Sequence, residues 1–180
     1  MEAVNSVSGF KARSGWAWLS LSVLVIVLDQ WSKVVATGSL SYADPIAVLP
    51  GFNWMLVHNQ GGAFSFLSDH AGWQRWFFLV TSSAITIALL VWLRRTPARL
   101  WNVCLPLSLL VGGALGNLID RARLGYVVDF IDVYYKNSHW PAFNLADSAI
   151  TLGIILLIAY EFFGQRNKEA TAKDDGRTAR

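Results

Sequence analysis

Cysteine and charge are both scarce in this chain. Its one cysteine, Cys104, has no disulfide partner, so any part facing an oxidising compartment is held by packing and hydrogen bonds. Charged residues make up 15% of the 180 residues against 54% apolar, too little charge to solvate an ordinary soluble surface. The net charge of +3 does not indicate nucleic acid, because the basic residues fall in short clusters between long apolar runs. No internal repeat is present, which leaves the inverted-repeat architecture of many transporters without support. Several hydrolytic signatures are missing too: there is no H-E-x-x-H and no G-x-S-x-G, and His58, His70 and His139 lack ligand spacing.

What the chain does have is four apolar runs near the roughly 20 residues that a helix needs to cross hydrocarbon. They cover about residues 15–36, 73–93, 100–118 and 142–163. The first carries Asp29 and Lys33 in its last third, and the second is free of charge beyond Trp76. The third holds Pro106 and three glycines, while the fourth has Asp147 near its start and Glu161 near its end. A basic start and small residues at 35–38 also fit a cleavable secretory signal, although Asp29, Gln30 and Lys33 would interrupt its apolar core. Residues 164–180 are polar and mixed in charge, which predicts a solvated, disordered tail after one domain spanning 1–163.

Orientation follows from Lys and Arg, which are retained on the cytoplasmic side. Lys11, Arg13, Arg94, Arg95, Arg99, Arg166, Lys168, Lys173, Arg177 and Arg180 all flank the same ends of the four runs. The stretch 37–72 has no Lys or Arg, and 120–141 has only Arg121, Arg123 and Lys136. Both termini are therefore expected in the cytoplasm. Tryptophans 16, 18, 73, 76, 92, 101 and 140 fall near the predicted span ends, where amphipathic rings prefer to sit.

Carboxylates and carboxamides are costly in hydrocarbon and mark either function or a buried partner. With this topology, Asp29, Gln30, Lys33, Asn117, Asp120, Arg121, Asn144 and Asp147 gather at the outer face, and Asn59 and Asp129 lie on the two external connections. Gly112 and Gly116 form a small-xxx-small pair that lets a neighbouring helix approach. Asn117 and Arg121 share a helix face if that helix continues, although Arg121 could simply pair with Asp120 or with lipid phosphate. Asp129 interrupts the apolar run Val127 to Ile131, an unusual setting for a turn-forming aspartate. Asn144 and Asp147 follow Pro141, point the same way, and also suit a helix N-cap. Two aspartates brought together can share one proton, so that one acts as base and the other as acid on a water between them.

These segments resemble one family, the bacterial lipoprotein signal peptidases, or signal peptidase II. Asp29-Gln30-Trp31-Ser32-Lys33 is similar to its D-Q-x-[ST]-K box, and Asn59-Gln60-Gly61-Gly62-Ala63-Phe64 to its N-x-G-x-A-F box. Gly112 through Arg121 resembles G-G-x-x-G-N-x-x-D-R, and Val127-Val128-Asp129-Phe130 and Phe143-Asn144-Leu145-Ala146-Asp147 resemble the V-V-D-F and F-N-x-A-D segments. Five such boxes in order are specific; Ser65, where many members carry Gly, is a small departure.

The resemblance implies an all-α membrane protein of four transmembrane helices. It adds a small β-rich cradle in the first periplasmic loop, with Phe52, Trp54 and Phe64, and an external loop between helices three and four. It implies an aspartic endopeptidase of the bacterial inner membrane that cleaves prolipoproteins immediately before a diacylglyceryl cysteine. The site would face the periplasm. Asp129 and Asp147 would be the catalytic pair, and Asn59, Asn117, Arg121 and Asn144 would support them or hold substrate. Asp29, Lys33 and Gly61 would be structural. No metal or other cofactor is implied, and the expected partners are the prolipoprotein, membrane lipids and the family's cyclic-peptide antibiotic inhibitors, with the chain as a monomer. Without the resemblance, a small transporter and a non-catalytic assembly factor stand beside the hydrolase; only the hydrolase needs paired acids.

Overall fold

A computed structural model describes residues 14–61 and 73–178, except for the side chains of residue 74 and of 163 onward. A single 3-10 turn, Gly15–Trp18, leads into α1, Leu19–Ser39. Strands β1, Ile46–Leu49, and β2, Phe52–Asn59, follow, then α2, Trp73–Arg95, and α3, Trp101–Arg123. Strands β3, Val127–Tyr135, and β4, Ser138–His139, precede α4, Leu145–Thr178. Among the described residues, four helices are long and apolar enough to cross a membrane, so the chain is a multi-pass membrane protein. Lys11 and Arg13, residues Gly62 to Ser65 and His70 lie outside the described residues.

Helix α3 is the centre of the bundle. Over half of its apolar window, 56%, is buried, against 11% in α2, which presents most of its surface to lipid. The glycines explain how α1 and α4 come so close to it. A Cβ on Gly112 would sit 2.7 Å from Cβ of Val25 on α1, and one on Gly116 would sit 2.6 Å from Oδ2 of Asp29. A Cβ on Gly113 would run into the Ala146 carbonyl of α4. The predicted small-residue pair, Gly112 and Gly116, thus seats α1, and Gly113 beside it admits the start of α4. At the end of the bundle away from the sheet, the Gly15 N–H donates to the Thr96 carbonyl at 2.7 Å and Trp18 Nε1 to that of Ala98 at 3.0 Å. These bonds hold the first helix against the α2–α3 connection.

The four strands form one antiparallel meander in the order β1-β2-β3-β4. Sequence placed the sheet in the first connection; half of its strands come from the second, between α3 and α4. One extra residue on β2 between Trp54 and Val57 shifts the register, so that Asn53 faces Asp132 while Val57 faces Asp129. Such a bulge turns the residues beyond it onto the other face of the sheet. Asn59 thereby shares a face with Asp129, whereas Asn53 stays with Asp132.

Helix boundaries differ from the sequence expectation by a few residues at several ends, and two of the differences bear on the site. Helix α3 continues to Arg123 instead of stopping near 118, which puts Asn117 and Arg121 on one face. Helix α4 starts at Leu145 instead of 142, because Phe143 is used as a strand partner: its N–H donates to the Ile131 carbonyl, and its own carbonyl accepts from Phe130 and Ile131. Its backbone is helical to Thr178.

Substituting Gly112 by Val is expected to destabilise the bundle by about 1–3 kcal/mol, because neither Val25 nor the Ser22 carbonyl 2.9 Å away can yield without moving α1. Gly38→Ala, where nothing lies within 4 Å, should leave the melting temperature in detergent unchanged.

Candidate active site

Two aspartates are delivered to one place by quite different local structures. Asp129 is the third residue of β3 and is 1% exposed. Asp147 is the third residue of α4, and a reciprocal cap fixes it there. The Asp147 N–H donates to Oδ1 of Asn144 at 3.0 Å, and the Asn144 N–H donates to Oδ2 of Asp147 at 3.2 Å. This is a capping box with Asn at the cap and Asp at the third position, and it satisfies two N–H groups at the helix start. The cap residue also reaches the other aspartate: Asn144 Nδ2 donates to Oδ1 of Asp129 at 2.6 Å. Asn144, which is fully buried, is therefore both the N-cap that its position suggests and the link between the two carboxylates.

Each carboxylate has a second amide donor. Asn59 Nδ2 donates to Oδ2 of Asp129 at 3.1 Å, and Asn117 Nδ2 donates to Oδ1 of Asp147 at 2.7 Å. Gly61 fixes the Asn59 amide by donating its N–H to Oδ1 at 3.0 Å, while its carbonyl accepts from Arg121 Nη2 at 3.4 Å. The Arg121 guanidinium lies over the Phe78 ring, 5.5 Å from its centroid. Asp120, the partner that sequence offered Arg121, is instead paired with Lys33 at 2.9 Å.

Of the residues that sequence marked as structural, Gly61 sits beside Asn59 and Arg121, while Asp29 and Lys33 form a second layer behind. Lys33 Nζ lies 2.9 Å from Oδ2 of Asp29, 2.9 Å from Oδ2 of Asp120 and 3.0 Å from Oδ1 of Asn117. Gln30 Nε2 donates to Oδ1 of Asp120 at 2.8 Å. Sequence reasoning grouped Asp120 and Gln30 with the site residues but gave Gln30 no partner and offered Asp120 only Arg121, since nothing in the spacing shows which helices meet.

The aspartates open onto a cavity of about 800 Å³ whose wall includes Asn59, Asn117, Arg121, Asp129 and Asp147. The rest of the lining is largely apolar, with Trp140, Pro141 and Phe143 on one side and Ser148, Thr151, Leu152 and Ile155 in a row down α4. His58 also lines it and was missed, its ring stacked on Tyr126 with centroids 4.2 Å apart and its Nε2 without a hydrogen-bond partner. A separate polar cluster, Asn53, Asp132 and His139, lies on the far face of the sheet and was not anticipated.

Burial pushes the Asp129 carboxyl up from 3.8 to about 7, the neighbouring Asp147 adds to the rise, and the bonds from Asn59 and Asn144 and the charge of Lys33 oppose it. A carboxyl that stays protonated near neutrality beside a second carboxylate is equipped to share a proton and to act as acid or base.

Four spans and a pair of amide-braced carboxylates at a largely apolar cavity describe a polytopic membrane protein with a candidate acid–base site. A family model described as Signal peptidase (SPase) II matches residues 21–163, and the chain belongs to that family. It is 58% identical over 151 residues to a lipoprotein signal peptidase of Acinetobacter baumannii, covering 84% of this chain and 86% of the relative. A lipoprotein signal peptidase of Pseudoalteromonas translucida is 48% identical over 166 residues, 92% of this chain and all of the relative. A solved structure described as a bacterial membrane enzyme superposes with a TM-score of 0.75 at 34% identity, covering 85% of this chain and 92% of that one.

Because the folded-state value of Asp129 lies above the unfolded one, this carboxyl favours the fold while protonated. That contribution is complete below about pH 3.8 and is lost as pH rises through about 7. The melting temperature in detergent is expected to fall between pH 5 and pH 8, and to fall less in Asp129→Asn.

Proposed function

We propose that this chain removes signal peptides from diacylglyceryl-modified prolipoproteins, cutting immediately before the lipidated cysteine, with Asp129 and Asp147 as a catalytic dyad. The observation that carries this reading is the bracing of both carboxylates by Asn144 in the wall of one cavity, with Asp129 raised to about 7.

In this scheme the dyad carries one proton. The ionised carboxylate takes a proton from a water held between the pair as the water oxygen attacks the scissile carbonyl carbon. The protonated carboxyl hydrogen-bonds the carbonyl oxygen, which bears the developing charge. Collapse of the tetrahedral intermediate breaks the C–N bond, and the proton taken from water passes to the leaving nitrogen. No covalent intermediate forms, and the scheme calls for neither metal nor other cofactor.

The other residues take roles that fit their places. Asn59, Asn117 and Asn144 keep the carboxylates oriented, and Arg121 is close enough to the pair to hold a substrate carbonyl or ester oxygen. The row Ser148, Thr151, Leu152 and Ile155, at a helical spacing, passes from two hydroxyls near the carboxylates to two aliphatic side chains and offers a wall for a lipid-anchored substrate beside the enzyme. Cyclic-peptide antibiotics that block this family would occupy the same cavity. The charge asymmetry supports cytoplasmic termini and a site at the periplasmic face of the inner membrane.

Purified protein in detergent is expected to cut a diacylglyceryl-modified prolipoprotein before its lipidated cysteine, as read by mass spectrometry of both products. Asp129→Asn and Asp147→Asn should each lose at least about 1,000-fold in kcat while remaining folded, since an amide can neither share the proton nor serve as base. Normal turnover by either variant would sink the dyad.

A further inference from the structure

We propose that Lys33 is a positioning residue that sets the relation between Asp129 and Asp147, by gathering on one ammonium the three side chains that fix them. This inference rests on the dyad reading above and assigns how the pair is held.

The connections are short and all run through backbone or amide groups. Oδ1 of Asp29 accepts the N–H of Ala146 at 2.9 Å, and Ala146 is the residue just before Asp147. Oδ2 of Asp120 accepts the N–H of Val128 at 3.1 Å, and Val128 is the residue just before Asp129. Both carboxylates are clamped by Lys33 Nζ at 2.9 Å. The backbone beneath each dyad aspartate is thus tied to the same nitrogen through one carboxylate.

The third acceptor of Lys33 acts on the side-chain level. An asparagine amide can turn over, exchanging its acceptor for its donor, and the choice is made by its neighbours. Lys33 can only donate, so it demands Oδ1 of Asn117, at 3.0 Å. That leaves Nδ2 facing Oδ1 of Asp147, at 2.7 Å. Without the ammonium, Asn117 could present an oxygen to Asp147 and repel it. Asn144 Nδ2, 3.1 Å from Oδ1 of Asn117, favours the same orientation but also serves Asp129 and the Val128 carbonyl, and it brings no charge.

An ammonium has three protons, and here each has an acceptor on a different side chain. Two of the three, Asp29 and Asp120, are themselves 0% and 3% exposed. A lysine needed only to neutralise one buried acid would require neither the second carboxylate nor the amide. The positive charge also opposes the rise in the Asp129 pKa, so its loss should raise that value further.

The test uses the full chain in detergent with the diacylglyceryl-modified prolipoprotein. Lys33→Met alone leaves two buried carboxylates unpaired and risks misfolding. It is therefore paired with Lys33→Met/Asp29→Asn, which removes one charge of each sign and leaves an acceptor for the Ala146 N–H. The double variant, in which only Asp120 has lost its cation, is expected to melt closer to wild type than Lys33→Met and to remain folded at assay temperature. Its kcat should fall by about 10- to 100-fold with KM changed by less than about twofold, as befits a misplaced pair rather than lost binding. Its pH–rate profile should move to higher pH. A folded double variant with the kcat and pH profile of wild type would overturn the inference. Failure of wild type itself to cut the lipidated substrate would count against the dyad reading instead, so the two failures are told apart.

Discussion

The ion cluster of Lys33 with Asp29 and Asp120 is the constraint on which the rest of the structure depends. Charges taken out of water cost several kcal/mol each unless their partners are close and complete. Here completeness is achieved by drawing on every major element around the site: α1 supplies Asp29 and Lys33, α3 supplies Asp120 and Asn117, and β3 and α4 supply backbone N–H groups. Removing any one of these leaves a buried charge or a buried donor unmatched. The glycines of α3 belong to the same constraint, since Asp29 can reach this position only because residue 116 has no side chain.

On that base the two aspartates are placed by different devices that converge on Asn144. A helix start exposes N–H groups that attract carboxylates and amides, which fixes Asp147 through the capping box. A strand offers no such anchor, and Asp129 instead depends on the bulge in β2 that turns Asn59 toward it. Phe143 closes the gap between the two by pairing with Ile131, so the last residue of the connection before the cap is already part of the sheet. Each polar atom that faces the carboxylates is itself held from behind.

Much of this could be seen in the chain, because lipid imposes a simple code. Long apolar runs gave the four helices, and polar residues in those runs stood out as candidates because hydrocarbon tolerates few of them. Depth was legible as well: Asp29, Asn117, Asp120 and Asp147 share a level once the spans alternate in direction. Pairing was not. Nothing local tells Lys33 that Asn117 lies across the bundle, or Asp120 that it will cap β3, since such contacts depend on which helices touch. The start of α4 was misjudged because Ala142 and Phe143 are apolar enough to belong to a helix, yet Phe143 pairs with Ile131 and Asn144 is the cap. The bulge in β2 and the cluster of Asn53, Asp132 and His139 were invisible for the same reason: register is decided by the partner strand.

In the proposed mechanism, water activated between two aspartates attacks the substrate directly. Single turnover in water enriched in ¹⁸O tests this step. One labelled oxygen is expected in the new carboxylate of the released signal peptide and none in the enzyme segments that carry Asp129 and Asp147. Label appearing in either aspartate would mean that the enzyme had formed and hydrolysed a covalent acyl intermediate, and would contradict the mechanism.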